Sequence, residues 1–258
     1  MEQKAIDLQH KLAVVTGAAG GIGRGLVSAL TQHGYRVIAL DNVPQPAGLA
    51  CWRYLHTDLQ QLVSDPACAA ATLSAITGWS QEEGGGALAV LVNNAAVQVL
   101  GGVDALTVAD WHRTLDVNLL APFVLAQGLL PQLEAAGGSV INISSIHARL
   151  TKANFVAYAT SKAALSGMTR AMAVDLGGRV RVNAIEPAAI VTDMLKAGFA
   201  DQPQQYALLQ GCHPQGRIGT PEEVAALALA IANGELRFLH GACIGMDGGI
   251  SARLYDPA

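Results

Sequence analysis

Short runs of Val, Ile and Leu recur along the chain and alternate with longer segments that mix apolar and polar residues. The runs lack polar alternation, which is typical of strands covered on both faces of a parallel sheet. They predict strands at Leu12–Thr16, Arg36–Leu40, Ala87–Asn93, Gly138–Ile143, Arg179–Ile185 and Ala242–Met246. The intervening segments space their apolar residues as helices do, and predict helices at Ile22–His33, Asp65–Gln81, Thr107–Ala135, Phe155–Leu176 and Pro221–Ala232.

Capping residues support two of these helices. Thr107 is expected to be an N-cap, with Asp110 as a short version of the acid in a capping box. Thr220 is expected to cap the last helix, where Pro221 suits the first helical position.

Strand and helix alternate through short loops, which predicts an α/β fold with a doubly wound parallel sheet. With no linker and no repeat in view, residues 1–258 are expected to form a single domain. The one long irregular stretch is 188–219. A stretch of that length is expected to be a substrate lid, although a surface excursion would have the same pattern.

Composition then narrows the class of protein. Hydrophobic residues make up 51% of the chain and charged residues 14%, enough to fill a large core. The net charge of -4 and the absence of basic clusters argue against nucleic acid as a partner, and no apolar segment is long enough to predict a membrane span. The four cysteines form no C-x-x-C pair and the histidines do not cluster, so we expect reduced cysteines, no metal and a cytoplasmic location.

A glycine-rich run, Thr16–Gly23, joins the first strand to the first helix. A tight turn and the close approach of a pyrophosphate require glycine there, and a side chain at Gly21 or Gly23 would fill that space. The helix would direct its free N–H groups and its positive dipole end at the anion. The run therefore predicts a dinucleotide site.

Asp41 follows the second strand at the spacing expected for an acid that hydrogen-bonds the adenosine ribose. Its carboxylate would repel a 2′-phosphate, and the only base nearby is Arg24, beyond the glycines. Asp41 could also be a turn residue at a strand end. Beside the glycine loop, the ribose role predicts NAD as the cofactor, with NADP the less favoured choice.

Tyr158 and Lys162 stand four residues apart in a predicted helix, so the phenol and the ammonium share one helical face. Ser144 and Ser145 follow a buried strand, at the edge where sheets of this type bind ligands. These groups are expected to meet at one site.

Together these motifs resemble the short-chain dehydrogenase/reductase family in its single-domain form, from Lys11 to Gly249. The residues that carry the resemblance are Thr16–Gly23, Asn93-Asn94-Ala95-Ala96, Asn118, Ser145, Tyr158, Lys162 and the closing Asp247-Gly248-Gly249. The resemblance implies a Rossmann fold and hydride transfer between nicotinamide and an alcohol or carbonyl carbon. It also implies a homotetramer, in which the helices Thr107–Ala135 and Phe155–Leu176 could pair across subunits or be satisfied within one.

The resemblance also assigns roles to residues. It implies that Tyr158 is the acid/base and that Ser145, rather than Ser144, polarises the substrate oxygen. Lys162 would bind the nicotinamide ribose and lower the tyrosine pKa, and Asn118 would hold a proton-relay water. Of the family positions that contact the dinucleotide, Asp58 would contact adenine, Asn94 the adenosine ribose and Ile190 the nicotinamide end. The full set matches Gly17, Gly21, Ile22, Gly23, Asp41, Asp58, Asn94, Tyr158, Lys162 and Ile190.

Two local features leave alternatives open. Pro122 cannot donate an N–H to the carbonyl of Asn118, which could then hold the relay water, or the proline could simply kink the helix. His147 could line the substrate pocket or lie on a surface loop.

The substrate is the least constrained part of the prediction. The lid has few cations, Lys196 and Arg217, so a neutral secondary alcohol, polyol, sugar or cyclic ketone is favoured. Met194, Leu195 and Phe199 could close over the substrate or pack the lid on the core. Two other functions fit the fold, a non-catalytic NAD-binding regulatory protein and an epimerase or enoyl reductase, but the intact set of Asn118, Ser145, Tyr158 and Lys162 favours carbonyl chemistry.

Overall fold

The computed structural model describes residues 11–254, without the side chain of Met194. The two ends of the predicted 1–258 domain, residues 1–10 and 255–258, lie outside the described residues.

Seven parallel strands form one sheet in the order β3-β2-β1-β4-β5-β6-β7. They are β1 Lys11–Thr16, β2 Tyr35–Asp41, β3 Arg53–His56, β4 Val90–Asn93, β5 Ser139–Ile143, β6 Arg181–Pro187 and β7 Cys243–Met246. The order reverses between β1 and β4, which is where doubly wound sheets open a crevice at the carboxyl ends of their strands. The predicted fold class is confirmed.

Helices cover both faces of the sheet. They are α1 Gly21–Gln32, α2 Leu59–Ser64, α3 Pro66–Gly84, α4 Val108–Leu115, α5 Ala121–Gly128, α6 Leu130–Ala136, α7 Val156–Leu176, α8 Asp193–Gly198, α9 Pro203–Cys212 and α10 Pro221–Ala232. Successive residues of β1 point to opposite faces: Ala13 packs in one core with residues of α1 and α10, and Leu12 in the other with residues of α5 and α7. Both faces are therefore buried, as the strand composition predicted.

The capping predictions are confirmed. Thr107 and Asp110 form a reciprocal capping box on α4, and Thr220 forms another with Glu223 on α10. Glu223 also pairs with Arg217 in two contacts of 2.9 and 2.6 Å, which ties the end of the 188–219 stretch to the last helix.

The prediction of one helix over Thr107–Ala135 is wrong. A π-helical segment, Asp116–Leu120, separates α4 from α5. The axis of α6 makes an angle of 62° with that of Val108–Gly128. Prolines lie in the first turns of both α5 and α6, where they end the hydrogen-bond ladder of the preceding turn. Within residues 11–254, no single helix has the length and apolarity to cross a bilayer, and this bent pair meets those two criteria only when taken together.

Candidate active site

A cavity of about 1440 Å³ opens at the carboxyl ends of the strands and runs from the glycine loop to the 188–219 stretch. Apart from Asn118, the cavity brings together all the residues to which the resemblance assigned roles, and His147 with them. Those that line it are Gly17, Gly21, Ile22, Gly23, Asp41, Asp58, Asn94, Ser145, His147, Tyr158, Lys162 and Ile190. Asn118 lies outside the wall and is fully buried.

The glycine loop forms a cradle that side chains would fill. Gly17 has φ +62°, and a Cβ there would lie 2.7 Å from the Cα of Ala95. A Cβ at Gly23 would lie 2.0 Å from the oxygen of Gly17. Gly20 precedes α1 and has no side chain that could cap the helix. The first-turn N–H groups of α1 therefore face the cavity without a side-chain acceptor. The cradle fits a dinucleotide pyrophosphate.

Both carboxylate oxygens of Asp41 accept main-chain hydrogen bonds, one of them from the glycine loop. Oδ2 accepts a 2.8 Å hydrogen bond from the Ala19 N–H, and Oδ1 accepts one of 2.8 Å from the Asn42 N–H. Nearby, Arg24 donates from Nε to the oxygen of Ala19 over 2.8 Å. Asp41 therefore acts as a turn residue and also places its carboxylate on the cavity wall, so the two readings of this residue are compatible.

Two further predicted cofactor contacts are held by local hydrogen bonds. The side-chain amide of Asn94 donates to the main-chain oxygens of Thr16 and Gly17 over 2.9 and 3.0 Å, which ties β4 to the glycine loop. One oxygen of Asp58 accepts from the Gln60 N–H and caps α2, which leaves its second oxygen for other contacts.

Ser145, Tyr158 and Lys162 meet at the wall of the cavity beyond the cradle. Burial raises the pKa of the Tyr158 phenol, and a hydrogen bond with the Ser145 side chain lowers it in part. The Lys162 ammonium lies 5.8 Å from the centre of the Tyr158 ring and donates to the oxygen of Ile143 over 2.8 Å. Burial lowers the pKa of Lys162 to about 8. A proton donor, a hydroxyl and a cation thus share one site.

Ser144 and Ser145 point to different surroundings. The Ser144 hydroxyl donates to the main-chain oxygen of Lys162 over 3.0 Å and lies 2.9 Å from the Ser166 hydroxyl, so it is engaged in the protein interior. The Ser145 hydroxyl contacts Tyr158 and accepts the His147 N–H at 3.2 Å. The choice of Ser145 over Ser144 agrees with this geometry.

Asn118 uses its whole side chain inside the protein. Its amide oxygen accepts from the Val97 N–H over 2.8 Å, and its amide nitrogen donates to the oxygens of Val97 and Ser161 over 2.9 and 3.0 Å. A water bound by Asn118 would therefore depend on its main-chain carbonyl, which lies in the π-helical segment four residues before Pro122.

His147 lies beside Ser145 and Tyr158 rather than on an outer loop. Its ring stacks on Phe155, with centroids 4.4 Å apart, and meets the Tyr158 ring edge-on at 5.7 Å. Burial, with a smaller effect of Lys152, lowers the pKa of His147. Phe155 and Gln98 also line the cavity, and neither was singled out in the sequence.

The 188–219 stretch is not irregular as predicted, because it contains α8 and α9. Leu195 and Phe199 line the cavity. Thr192 caps α8 and packs on the cradle, where a Cβ at Gly21 would lie 2.7 Å from its Cγ2. A threonine followed by an acid in the first turn is an N-cap pattern that the sequence analysis missed.

The two ends of this stretch are joined. Ile190 pairs with Gly219 in a short parallel bridge, the Val191 N–H donates to the oxygen of Gly219 over 2.8 Å, and the Gly219 N–H donates to the oxygen of Ala189 over 3.1 Å. Residues 188–219, with helices α8 and α9, therefore form a flap whose two ends are hydrogen-bonded to each other.

Known proteins of similar sequence and structure agree with this geometry. A family model described as enoyl-(acyl carrier protein) reductase matches residues 17–251. D-threitol dehydrogenase of Mycolicibacterium smegmatis is 34% identical, with 95% of each chain covered. The ligand-free aldohexose dehydrogenase of Thermoplasma acidophilum superposes with a TM-score of 0.88 at 30% identity, covering 98% of each chain.

A second solved structure is described as an NAD(P)-dependent gluconate 5-dehydrogenase of Beutenbergia cavernae, with NADP bound at low occupancy. It gives a TM-score of 0.84 at 30% identity, covering 94% of this chain and 97% of that one. With matches over nearly its whole length and the Ser145, Tyr158 and Lys162 groups gathered on the cavity beside the glycine cradle, the chain belongs to the short-chain dehydrogenase/reductase family.

Proposed function

We propose that this protein is a nicotinamide-dependent dehydrogenase that interconverts a secondary alcohol and a ketone, with Tyr158 as the acid/base. One observation carries the proposal: Ser145, Tyr158 and the buried Lys162 line the same cavity as the glycine cradle. The bound cofactor would accept or supply the hydride.

The side chains of the protein would then control the transfer of the proton to and from the substrate oxygen. A phenol that titrates near 10 needs about 4 kcal/mol of preference for its anion to titrate near 7. Burial at Tyr158 acts in the opposite direction, so the Ser145 hydroxyl and the positive charge of Lys162 must overcome it. Ser145 would also donate to the substrate oxygen, which orients the carbon that reacts. Asn118 would support the proton relay through its carbonyl.

NAD is the proposed cofactor, and NADP is less favoured. The Asp41 carboxylate on the cavity wall would accept the adenosine ribose hydroxyls and repel a 2′-phosphate. Gly17, Gly21, Ile22 and Gly23 would hold the pyrophosphate, and Asp58, Asn94 and Ile190 would contact adenine, ribose and the nicotinamide end respectively.

For the substrate, we propose a neutral polyol, sugar or cyclic alcohol. The names of the relatives, D-threitol dehydrogenase and aldohexose dehydrogenase, support this choice. On the cavity wall, the apolar Leu195 and Phe199 of the flap stand with the polar His147 and Gln98, which would suit a neutral molecule with more than one oxygen.

The test is a panel of alcohols of these classes, with NAD reduction followed by absorbance and the Tyr158→Phe variant as the control. Turnover of at least one alcohol by the wild type and its loss in the variant are expected. Cofactor binding without turnover across the panel would instead favour a non-catalytic NAD-binding regulatory protein.

Double-bond reduction is the second candidate, because the matching family model is described as an enoyl reductase. An enoyl thioester with reduced cofactor tests it. A hydroxyl beside the tyrosine suits a carbonyl oxygen better, so we expect faster turnover of ketones than of enoyl substrates. An epimerase would interconvert stereoisomers without net cofactor change, which chiral chromatography detects.

We also propose a homotetramer in the cytoplasm. Leu120 and Phe123 are each 41% exposed and Val174 is 86% exposed, on the two helical regions that were expected to pair across subunits. Burying such apolar side chains between subunits would be favourable. The mass from light scattering should be four times that of the chain.

A further inference from the structure

Glu186 is a buried carboxylate that the proposed reaction does not use. It precedes Pro187 at the end of β6, and only 1% of the residue is exposed. A buried carboxylate without partners is costly, so its contacts are informative. Oε1 accepts the Ser166 hydroxyl at 2.8 Å, and the Nε of Arg149 lies 2.8 Å from Oε2.

The contact with Ser166 continues through Ser144 to the main chain of Lys162. The Ser166 hydroxyl lies 2.9 Å from the Ser144 hydroxyl. A serine hydroxyl has one hydrogen, and because Ser166 gives its own to Glu186, Ser144 must be the donor to Ser166. The Ser144 hydrogen is thereby shared with the oxygen of Lys162 at 3.0 Å. The chain runs from Ser144 to Ser166 and ends on the charge of Glu186, which strengthens each bond in it.

The contact with Arg149 acts on the turn that follows Ser145. Ser145 caps the turn Ile146–Ala148, and the Arg149 N–H closes it by donating to the oxygen of Ile146 over 3.0 Å. A Cβ at Gly245 would lie 2.9 Å from Nη2 of Arg149, so glycine in β7 leaves room for the guanidinium. Oε2 accepts no well-aligned hydrogen bond from the described residues, so Arg149 is held mainly by charge attraction.

We propose that Glu186 is a positioning residue that holds Ser145 against Tyr158. It fixes one end of the Ser145 turn through Ser166 and Ser144, and the other end through Arg149. Arg149, Ser166 and Glu186 are absent from the cavity wall, so their effect on the reaction would pass through Ser145. The inference rests on the proposed function for its kinetic test.

The kinetic test is a double-mutant cycle. Glu186→Gln keeps the size of the side chain but removes its charge, so the attraction to the guanidinium and the charge-assisted hydrogen bond from Ser166 are both weakened. We expect kcat to fall roughly tenfold, since a small misplacement of a reacting group is costly, with the Kd of the cofactor changed less than about twofold. In a Ser145→Ala background, the same substitution should lower kcat by less than about twofold, because the group that it positions is gone. An equal loss in both backgrounds would overturn the proposal.

Three further variants complete the test: Arg149→Met removes the same link from its other end, Arg149→Lys keeps the charge, and Glu134→Gln is the control. The Arg149 side chain is 53% exposed, so Arg149→Met tests the same link even if Glu186→Gln does not fold, and it should follow the same cycle. Arg149→Lys should recover most of kcat by keeping the charge. The pair Arg179–Glu134 has the same 2.8 Å contact and a 53% exposed arginine away from the cavity, so Glu134→Gln should leave kcat unchanged.

A second readout does not need turnover. The phenol titration of Tyr158 is followed by absorbance as the difference between the protein and its Tyr158→Phe variant. Ser145, His147 and Lys162 surround this phenol, and none of them is changed by Arg149→Met or Glu186→Gln. Either variant should raise the pKa of Tyr158 through a weaker Ser145 contact, and an unchanged titration would contradict the proposal. If the wild type turns over no substrate, the proposed function fails while this titration still decides the positioning role.

Discussion

The ammonium group of Lys162 donates to the main-chain oxygen of Ile143 over 2.8 Å, with 2% of the lysine exposed. Burial lowers its pKa to about 8, from an ordinary value of 10.5. Between these values the unfolded chain binds the proton more strongly, so the free energy of unfolding rises with pH in that range. Below pH 8 the folded protein carries the full penalty, a cost that the proposed role of Lys162 in the reaction would explain.

Lys162→Met should therefore stabilise the protein at pH 7. The pKa shift corresponds to a destabilisation of about 3 kcal/mol, which the methionine variant would not have. Leaving the Ile143 oxygen without its donor would destabilise the variant by about 1 kcal/mol, so the net increase in the free energy of unfolding is about 2 kcal/mol. Urea unfolding at pH 7 and pH 10 measures it, and the gain should shrink at the higher pH. Turnover should fall more than about a hundredfold. A less stable variant at pH 7 would refute the argument.

Tyr158→Phe should lower kcat by about a thousandfold, because the acid/base is removed. The Kd of the cofactor, measured by fluorescence, should change little. Tyr35→Phe is the matched control: its hydroxyl is buried with no hydrogen-bond partner among the described residues, and it lies away from the cavity. That substitution should leave kcat unchanged and preserve or improve stability. Similar losses of kcat in both variants would remove Tyr158 from the mechanism.

Gly23→Ala should abolish cofactor binding or folding, because the new Cβ would lie 2.0 Å from the Gly17 oxygen. Gly20→Ala is the control in the same loop. Gly20 has φ -74°, and a Cβ there would lie 3.5 Å from the same oxygen, an ordinary contact. This variant should bind the cofactor and keep its stability within about 1 kcal/mol. Calorimetric titration with NAD and thermal unfolding compare the two, and a Gly23→Ala protein that binds normally would contradict the cradle.

How far the sequence predicts the fold depends on burial. Central strands such as β1 and β5 are buried on both faces, so their apolar runs predicted them within a residue or so. The edge strand Arg53–His56 has no buried residue, and without an apolar run it was missed. Helical spacing continued across Asp116–Leu120, which hid the π-helical segment and the bend before α6, although Pro122 follows the first and Pro131 the second.

Some features of the site could also be predicted from the sequence and others could not. Spacing within one element is readable, so Tyr158 and Lys162 could be paired from the sequence. Contacts between elements are not readable, since they depend on how β5, β6 and α7 pack. The engagement of Ser144 with Ser166, the enclosure of the Asn118 side chain and the contact of Thr192 with Gly21 are all of this kind.

Asp41→Asn should shift the choice of cofactor toward NADP. The amide keeps the size of the side chain and can still accept one loop hydrogen bond, but it no longer repels a 2′-phosphate. The ratio of kcat/KM for NAD over NADP should fall by at least about tenfold, which is about 1.4 kcal/mol. Asp58→Asn removes the same charge elsewhere on the cavity wall and should change the ratio less than about twofold. Equal shifts in both variants would indicate a general charge effect.

Pro122→Ala tests whether the main-chain oxygen of Asn118 supports the proton relay. The side chain of Asn118 is fully engaged with Val97 and Ser161, so only this oxygen could bind the relay water. Alanine would restore an N–H four residues after Asn118, which would compete with the water for that oxygen. We expect a lower kcat and a larger solvent isotope effect, with the KM of the alcohol unchanged.

Pro131→Ala is the control for a change of helix geometry alone, because Pro131 lies in the first turn of α6, at the 62° bend, and is absent from the cavity wall. It should leave kcat and the isotope effect as they are. If Pro122→Ala also leaves turnover, the pH profile and the isotope effect unchanged, the proline affects only the local geometry of the helix. The relay would then have to leave Lys162 by a route that does not involve Asn118.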